Sequence, residues 1–159
     1  MLYRGFVLIL QYMNYLSEMQ SLNPHTLFSI FEQGDEEVYK EHGIEDALKN
    51  PYVLMGMVMR GVENYFLMDV MYLRQYPEQY KNVRATVKAK YFTNLYNYLT
   101  RIDSTKFETF YKIGESFEKD EVSLALDTLR LYFEEVEEYE KCAVIKRFHE
   151  LLKKTTVGV

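Results

Sequence analysis

The sequence is poor in residues that interrupt helices or cross-link a chain. Its 159 residues include one cysteine, three prolines, seven glycines and no tryptophan. A single cysteine cannot form an internal disulfide, which excludes a disulfide-stabilised secreted scaffold and favours a reducing, cytoplasmic setting. The scarcity of proline and glycine argues against a β architecture with many turns and favours long helices. We therefore expect an all-α protein.

Histidine patterns that signal metal binding or catalysis are missing as well. The three histidines stand far apart in the sequence, at His25, His42 and His149. His149-Glu150 begins like the zinc-protease motif, but Lys153 occupies the position of the second histidine. We expect no metal site.

Two further sequence features resemble functional sites but do not indicate phosphate binding or a catalytic thiol. Gly56 and Gly61 have the spacing of a phosphate-binding loop, but no lysine follows and the segment has a helical pattern. Cys142 lies beside Ala143 and Val144, which indicates a packed, unreactive thiol. We therefore expect a protein that is not an enzyme and has no cofactor and no small-molecule substrate.

Aromatic residues, by contrast, are abundant. Tyrosine occurs 15 times and phenylalanine 10 times, together 16% of the chain. Such a composition can bury a sizeable core and is not that of a disordered protein. The length suits one domain, and no repeat or linker divides the sequence. We expect residues 1–159 to form a single helical domain.

Charge is distributed unevenly around a net value of −5. Residues 81–102 carry five basic residues and no acid, whereas residues 115–140 carry ten acids against Lys119 and Arg130. Runs of this kind predict separate positive and negative faces that could orient a partner. The simpler alternative is that each run is the solvated side of a helix.

The hydrophobic periodicity predicts a bundle of about six or seven helices. Its centre is the apolar segment 51–73, which begins at the N-cap signal Asn50-Pro51. Three charges within that segment, Arg60, Glu63 and Asp69, argue against a membrane span, and the first two have the spacing of an ion pair. The other long helices before the C-terminal region are predicted at 2–19, 78–102 and 105–117, the last starting at a capping box in Thr105-Lys106-Phe107-Glu108. Two short helical segments are predicted at 24–31 and 35–42.

The C-terminal region, residues 120–154, predicts a pair of antiparallel helices. One apolar stripe has steps of four, three, four and three, at Val122, Leu126, Leu129, Phe133 and Val136. A second stripe follows at Ala143, Ile145, Phe148 and Leu152. The joint between the stripes is short and acidic, and a short joint favours an antiparallel hairpin.

Part of this hairpin resembles a known interaction motif. Residues 139–146, Tyr-Glu-Lys-Cys-Ala-Val-Ile-Lys, within the segment 129–152, resemble the UVR motif of bacterial excision-repair proteins and some protease adaptors. By that resemblance, Tyr139 takes the aromatic position, Cys142 and Ala143 the small positions and Lys146 the basic one. Arg147 stands where the family has an acid, and His149 stands at a position that is usually aliphatic. The resemblance implies a hairpin that pairs with another hairpin, and it implies nothing about DNA repair.

These observations predict a non-catalytic interaction, adaptor or regulatory accessory protein, and the composition also suits a virus-encoded one. The partner would be another protein or a second copy, with no membrane. The predicted contact residues are Leu126, Leu129, Phe133, Val136, Tyr139, Lys146 and Phe148.

Two alternatives remain open at this stage. A nucleic-acid-binding accessory protein could use the basic helix 81–101, with phosphate and base contacts from Lys81, Arg84, Lys88, Lys90 and Tyr91. An acidic inhibitor could instead use the acid run 115–140 to occupy the basic groove of a nucleic-acid-binding protein.

Overall fold

In the computed structural model, residues 47–156 form an all-α arrangement, and the structure is described for that range. A 3₁₀ turn, Ala47–Lys49, is followed by five α-helices: α1 (Pro51–Gln75), α2 (Pro77–Thr100), α3 (Phe107–Ser116), α4 (Lys119–Glu135) and α5 (Tyr139–Thr156). Within this range there is no strand, which confirms the all-α class. The helices predicted at 2–19, 24–31 and 35–42 lie outside the described residues.

The start of α1 follows the predicted capping chemistry. The backbone N–H of Tyr52 donates to the side-chain oxygen of Asn50 at 2.9 Å, and Pro51 stands at the first helical position. Arg60 and Glu63 form the expected ion pair at 3.2 Å. The helix runs two residues beyond the predicted end, and only Tyr76 separates it from α2.

The predicted capping box at the start of α3 is wrong. Thr105 does not cap the helix, and its backbone N–H, which a capping box would satisfy with Glu108, donates to the carboxylate of Asp103 at 2.9 Å. The Thr105 hydroxyl donates to the same carboxylate at 2.6 Å. Glu108 pairs forward with Lys112 at 2.9 Å instead of back toward the helix start. The helix begins at Phe107, preceded by Lys106 with no side-chain cap. Local hydrogen bonds between Thr105 and Asp103 have thus replaced the predicted cap.

The core lies where α1 meets α2, α3 and α4. At Gly61 the backbone of α1 comes so close to α2 that an added Cβ would lie 2.3 Å from a methyl carbon of Leu95, itself buried. One side of α1 is nevertheless outward: Phe66, Leu67 and Val70 are each at least half exposed. The central helix is therefore buried on one side and exposed on the other in this region.

Helices α4 and α5 pack on each other, and α5 also packs on α3. Along α4 the predicted stripe is buried at Val122, Leu126, Leu129 and Phe133 but is exposed at Val136. In α5, Ile145 and Phe148 are buried, Leu152 is half-buried and Ala143 is exposed. The Phe110 and Phe148 rings pack edge to face with centroids 5.5 Å apart, and this contact joins α3 to α5.

Candidate interaction surface on helices α4 and α5

The structure divides the seven predicted contact residues into two groups. Four of them are buried in the chain's own core: Leu126, Leu129, Phe133 and Phe148. Val136 is 42% exposed, Tyr139 is 63% exposed and Lys146 is exposed. In this conformation the buried four stabilise the fold and cannot contact a partner, so the second group alone can form part of a surface.

The joint between α4 and α5 has an unusual backbone. Glu137 has a φ of +61°, the left-handed conformation that glycine normally adopts after a helix. The N–H of Glu138 donates to the carbonyl of Phe133 at 2.8 Å, and the N–H of Glu137 donates to the carbonyl of Glu134 at 3.1 Å. This is the hydrogen-bond pattern of a Schellman motif, so a side chain that favours other conformations occupies a position where glycine would be unstrained.

The first turn of α5 is fixed to the end of α4 by Lys141. Its ammonium group pairs with Glu138 and lies 4.9 Å from the centroid of the Phe133 ring and 5.6 Å from that of Tyr96. A cation over two rings and beside a carboxylate holds its side chain in one place. Tyr139, two residues earlier, is directed outward beside this fixed turn.

The most exposed leucines of α4 were not among the predicted contact residues. Leu124 is 69% exposed and Leu131 is 57% exposed. They are seven residues apart, so they lie two turns from each other on one side of the helix, opposite the stripe that faces the core. Their spacing is visible in the sequence, but the apolar stripe that was predicted to contact a partner is the buried one.

Carboxylates surround this pair of leucines at helical spacing. Asp120 and Glu121 precede Leu124 by four and three residues. Glu134 and Glu135 follow Leu131 by three and four residues. Between the leucines are Asp127 and Thr128, and the hydroxyl of Thr128 donates to the carbonyl of Leu124 at 2.7 Å. We call this set, residues 120, 121, 124, 127, 128, 131, 134 and 135, the outer face of α4.

Two cations partly offset the charge of the outer face. Arg130 pairs with Glu134 at 2.8 Å and approaches Asp127 at 3.7 Å. Lys88 of α2 pairs with Glu135 at 3.3 Å and lies 5.3 Å from the centroid of the Tyr132 ring. Five carboxylates thus face two cations, and the outer face has a negative balance.

The basic helix α2 directs several of its cations to carboxylates of the same chain. Lys81 pairs with Glu78 at 3.4 Å, Lys88 pairs with Glu135, and Arg84 binds Asp69. Lys90 and Tyr91 are half-buried, and the Tyr91 ring lies 5.5 Å from that of Tyr65. Three of the cations predicted to contact phosphates, Lys81, Arg84 and Lys88, thus have carboxylate partners within the chain.

Arg84 and Asp69 form a bidentate ion pair, which was not predicted from the sequence. The two nitrogens of Arg84 donate to the two oxygens of Asp69 at 2.8 and 2.6 Å, and the hydroxyl of Tyr80 donates to the same carboxylate at 2.9 Å. Burial acts to raise the pKa of Asp69, but the hydrogen bonds from Arg84 and Tyr80 outweigh it and hold the pKa below its usual value. Burial also raises the pKa of Tyr80, as does its hydrogen bond to Asp69, so its hydroxyl remains protonated.

Cys142 and His149 are two potentially reactive side chains of α5, and their surroundings differ. Burial raises the pKa of the Cys142 thiol, with the nearby Glu134 adding to the effect, and its sulfur donates to the carbonyl of Arg130 at 3.5 Å. A protonated thiol is a poor nucleophile. Nε2 of His149 lies 3.1 Å from the hydroxyl oxygen of Ser123, beside a cavity of about 20 Å³. Such a volume holds little more than a water molecule.

Searches for other functional features and for relatives gave no match. Among residues 47–156, no group of three or more histidine, cysteine or acidic side chains is arranged to hold a metal ion. No helix in that range has the length and apolar character needed to cross a membrane. No protein family, curated protein or solved structure matches the chain.

Proposed function

We propose that this chain is a non-catalytic accessory protein, of the adaptor or regulatory kind, that binds a partner protein through helices α4 and α5. The observation that carries the proposal is the exposure of four apolar residues on this helix pair: Leu124, Leu131, Val136 and Tyr139. Single exposed apolar residues are ordinary on protein surfaces, but a group of them on one helix pair and its joint is typical of an interaction site.

The same proposal includes an antiparallel hairpin of α4 and α5, which three contacts support. Ser123 meets His149, Arg130 meets Cys142, and Phe133 meets Lys141. Residue numbers therefore rise along α4 as those of their partners fall along α5. This is the order of contacts expected for the hairpin of the UVR resemblance, in which Tyr139 and Lys146 would face the partner.

The conformation of Glu137 adds support. A left-handed residue other than glycine costs on the order of 1 kcal/mol, and such strain is concentrated at functional positions. Glu137 stands between Val136 and Tyr139, so the strained residue and the two exposed apolar side chains occupy one turn. The Glu137 side chain would therefore lie beside the partner contact made by Val136 and Tyr139.

Site-specific photo-crosslinking in cells of the native source tests the proposed function. A benzoylphenylalanine at position 139 is expected to yield discrete covalent adducts. The same group at position 107 serves as control, because Phe107 is exposed to a similar degree but lies on α3. An adduct of twice the chain mass would identify a second copy as the partner. Equal adduct patterns at the two positions would contradict an interaction through α4 and α5.

The acidic-inhibitor reading is the second candidate, and the outer face of α4 favours it. Asp120 and Glu121 present carboxylates at one end of the helix, and Glu134 and Glu135 lie at the other end, where they pair with Arg130 and Lys88. The unbalanced carboxylates of the first end could match a basic groove. The nucleic-acid-binding alternative receives less support, since Lys81, Arg84 and Lys88 have carboxylate partners within the chain. A cytoplasmic location remains part of the proposal.

A further inference from the structure

We propose that the outer face of α4 binds a basic amphipathic helix of a partner protein. This inference rests on the proposed function and names the surface and the chemistry of its ligand. Leu124 and Leu131 are its apolar centre, four carboxylates lie beyond them at the two ends, and Asp127 lies between them.

The apolar spacing selects a helix as the ligand. Two leucines seven residues apart have the heptad spacing of packed helices, in which side chains of one helix insert between those of the other. A partner helix with apolar residues at positions i, i+3 or i+4, and i+7 can cover both leucines at once. Thr128, a smaller residue than leucine, lies between the two leucines on the same face.

The charge pattern selects a basic ligand. Carboxylates stand three and four residues before Leu124 and three and four residues after Leu131, so both ends of the face carry carboxylates. Arg130 and Lys88 offset part of this charge, but Asp120 and Glu121 at the N-terminal end lie two turns or more from Arg130. A partner helix with lysine or arginine beyond each end of its apolar residues would be complementary.

The same pattern disfavours a second copy of the chain on this face. Because both ends are acidic, a parallel or an antiparallel pairing of two α4 helices would bring carboxylates against carboxylates. Like charges facing one another across an interface oppose association. The outer face of α1, with Phe66, Leu67 and Val70, lacks such carboxylate pairs at both ends, and it provides the matched control.

Binding of two synthetic peptides tests the inference directly. One labelled helical peptide of about 18 residues carries leucine at i, i+4 and i+7 within an alanine and lysine background. The other has glutamate in place of every lysine. Fluorescence anisotropy on the full chain at low salt is expected to show binding of the lysine peptide only, with affinity that falls as salt is added.

Variants of the full chain locate the binding site. The double variant Leu124→Ser/Leu131→Ser is expected to weaken binding of the lysine peptide by about tenfold or more. Leu67→Ser should leave it unchanged, since Leu67 is 59% exposed, almost the same as Leu131, but lies on α1. All three side chains are exposed, so circular dichroism should show that the variants fold normally.

Four results would overturn the inference. These are equal binding of the two peptides, no binding of the lysine peptide, the same affinity in the double variant as in the wild type, or a wild-type dimer in light scattering that Leu131→Ser dissociates. Failure here is distinguishable from failure of the proposed function. Crosslinked adducts at position 139 without peptide binding would refute only the basic-helix ligand, whereas absence of adducts would refute the partner interaction itself.

Discussion

Helix pairs α1–α2 and α4–α5 are each joined by a short connection, but they place their charged residues differently. In α1–α2, Asp69 and Arg84 meet between the helices, and Tyr80 completes the buried carboxylate's hydrogen bonds. In α4–α5, the contact between the helices is mainly apolar, and the carboxylates of α4 lie on its outer side.

This difference separates a structural role from a binding role for charge. An ion pair between two helices fixes how they pack, and losing one partner leaves a buried charge unpaired. Carboxylates around exposed leucines do little for stability, because water solvates them. The α1–α2 pair is therefore expected to be sensitive to loss of charge, and the α4–α5 pair to loss of buried apolar groups.

The largest expected effect comes from Phe133, which the sequence suggested as a contact residue. Phe133→Ala should lower the free energy of unfolding by about 3–5 kcal/mol, because it leaves a cavity between α4, α5 and Tyr96. Leu131→Ala, two residues away but exposed, should change it by less than about 0.5 kcal/mol. Urea unfolding followed by circular dichroism measures both. Similar losses for the two variants would show that α4 does not bury the side observed.

The ion pair of α1–α2 gives the next largest effect. Arg84→Ala should destabilise the fold by about 2 kcal/mol, below the range for fully buried pairs because the Arg84 side chain is 47% exposed. Lys81→Ala on the same helix is the control, since its partner Glu78 is well exposed and little should change.

The pH dependence of unfolding adds a second readout for Arg84. The pKa of Asp69 is lowered in the fold, so its stabilising contribution is present above the carboxyl's ordinary pKa and disappears as the pH falls through the lowered one. Wild-type stability should therefore fall on acidification in a way that Arg84→Ala reduces. An identical acid profile in the two proteins would contradict the assigned role of the pair.

Two glycines of α1 should respond in opposite directions to alanine. Gly61→Ala forces a methyl group against Leu95, at a cost of about 1–3 kcal/mol that exceeds the roughly 1 kcal/mol alanine gains in a helix. Gly56→Ala meets only the Phe117 ring at an ordinary 3.8 Å and should stabilise by up to about 1 kcal/mol. Thermal unfolding compares the two, and a gain at both positions would mean that α1 and α2 are not as close as observed.

Features set by neighbouring residues could be predicted from the sequence. Asn50-Pro51 identified the start of α1 because capping involves only adjacent groups. Helical periodicity likewise identified the buried side of α4. Periodicity could not show whether that side was covered by the chain itself or by a partner. For this reason Phe133 and Leu129 were predicted as contact residues.

Features that depend on helix packing or on competing local hydrogen bonds could not be predicted from the sequence. Asp69 and Arg84 are 15 residues apart and meet only because α1 and α2 pack together. Thr105 had the right spacing for a capping box, but its N–H and hydroxyl donate to Asp103, two residues earlier. The acidic joint was visible, whereas its left-handed residue was not, since nothing marks a glutamate for that conformation.

The smallest effect expected concerns that joint and tests whether its strain serves binding. Glu137→Gly should stabilise the fold by about 1 kcal/mol, because glycine adopts the left-handed conformation without penalty. Glu137→Ala is the control: it removes the same charge but keeps the Cβ, so it should gain much less. Equal gains in thermal unfolding would assign the cost to repulsion among the joint's carboxylates instead of to the backbone. If Glu137→Gly is more stable and yet yields fewer crosslinked adducts through position 139, the glutamate serves contact with the partner and not the stability of the fold.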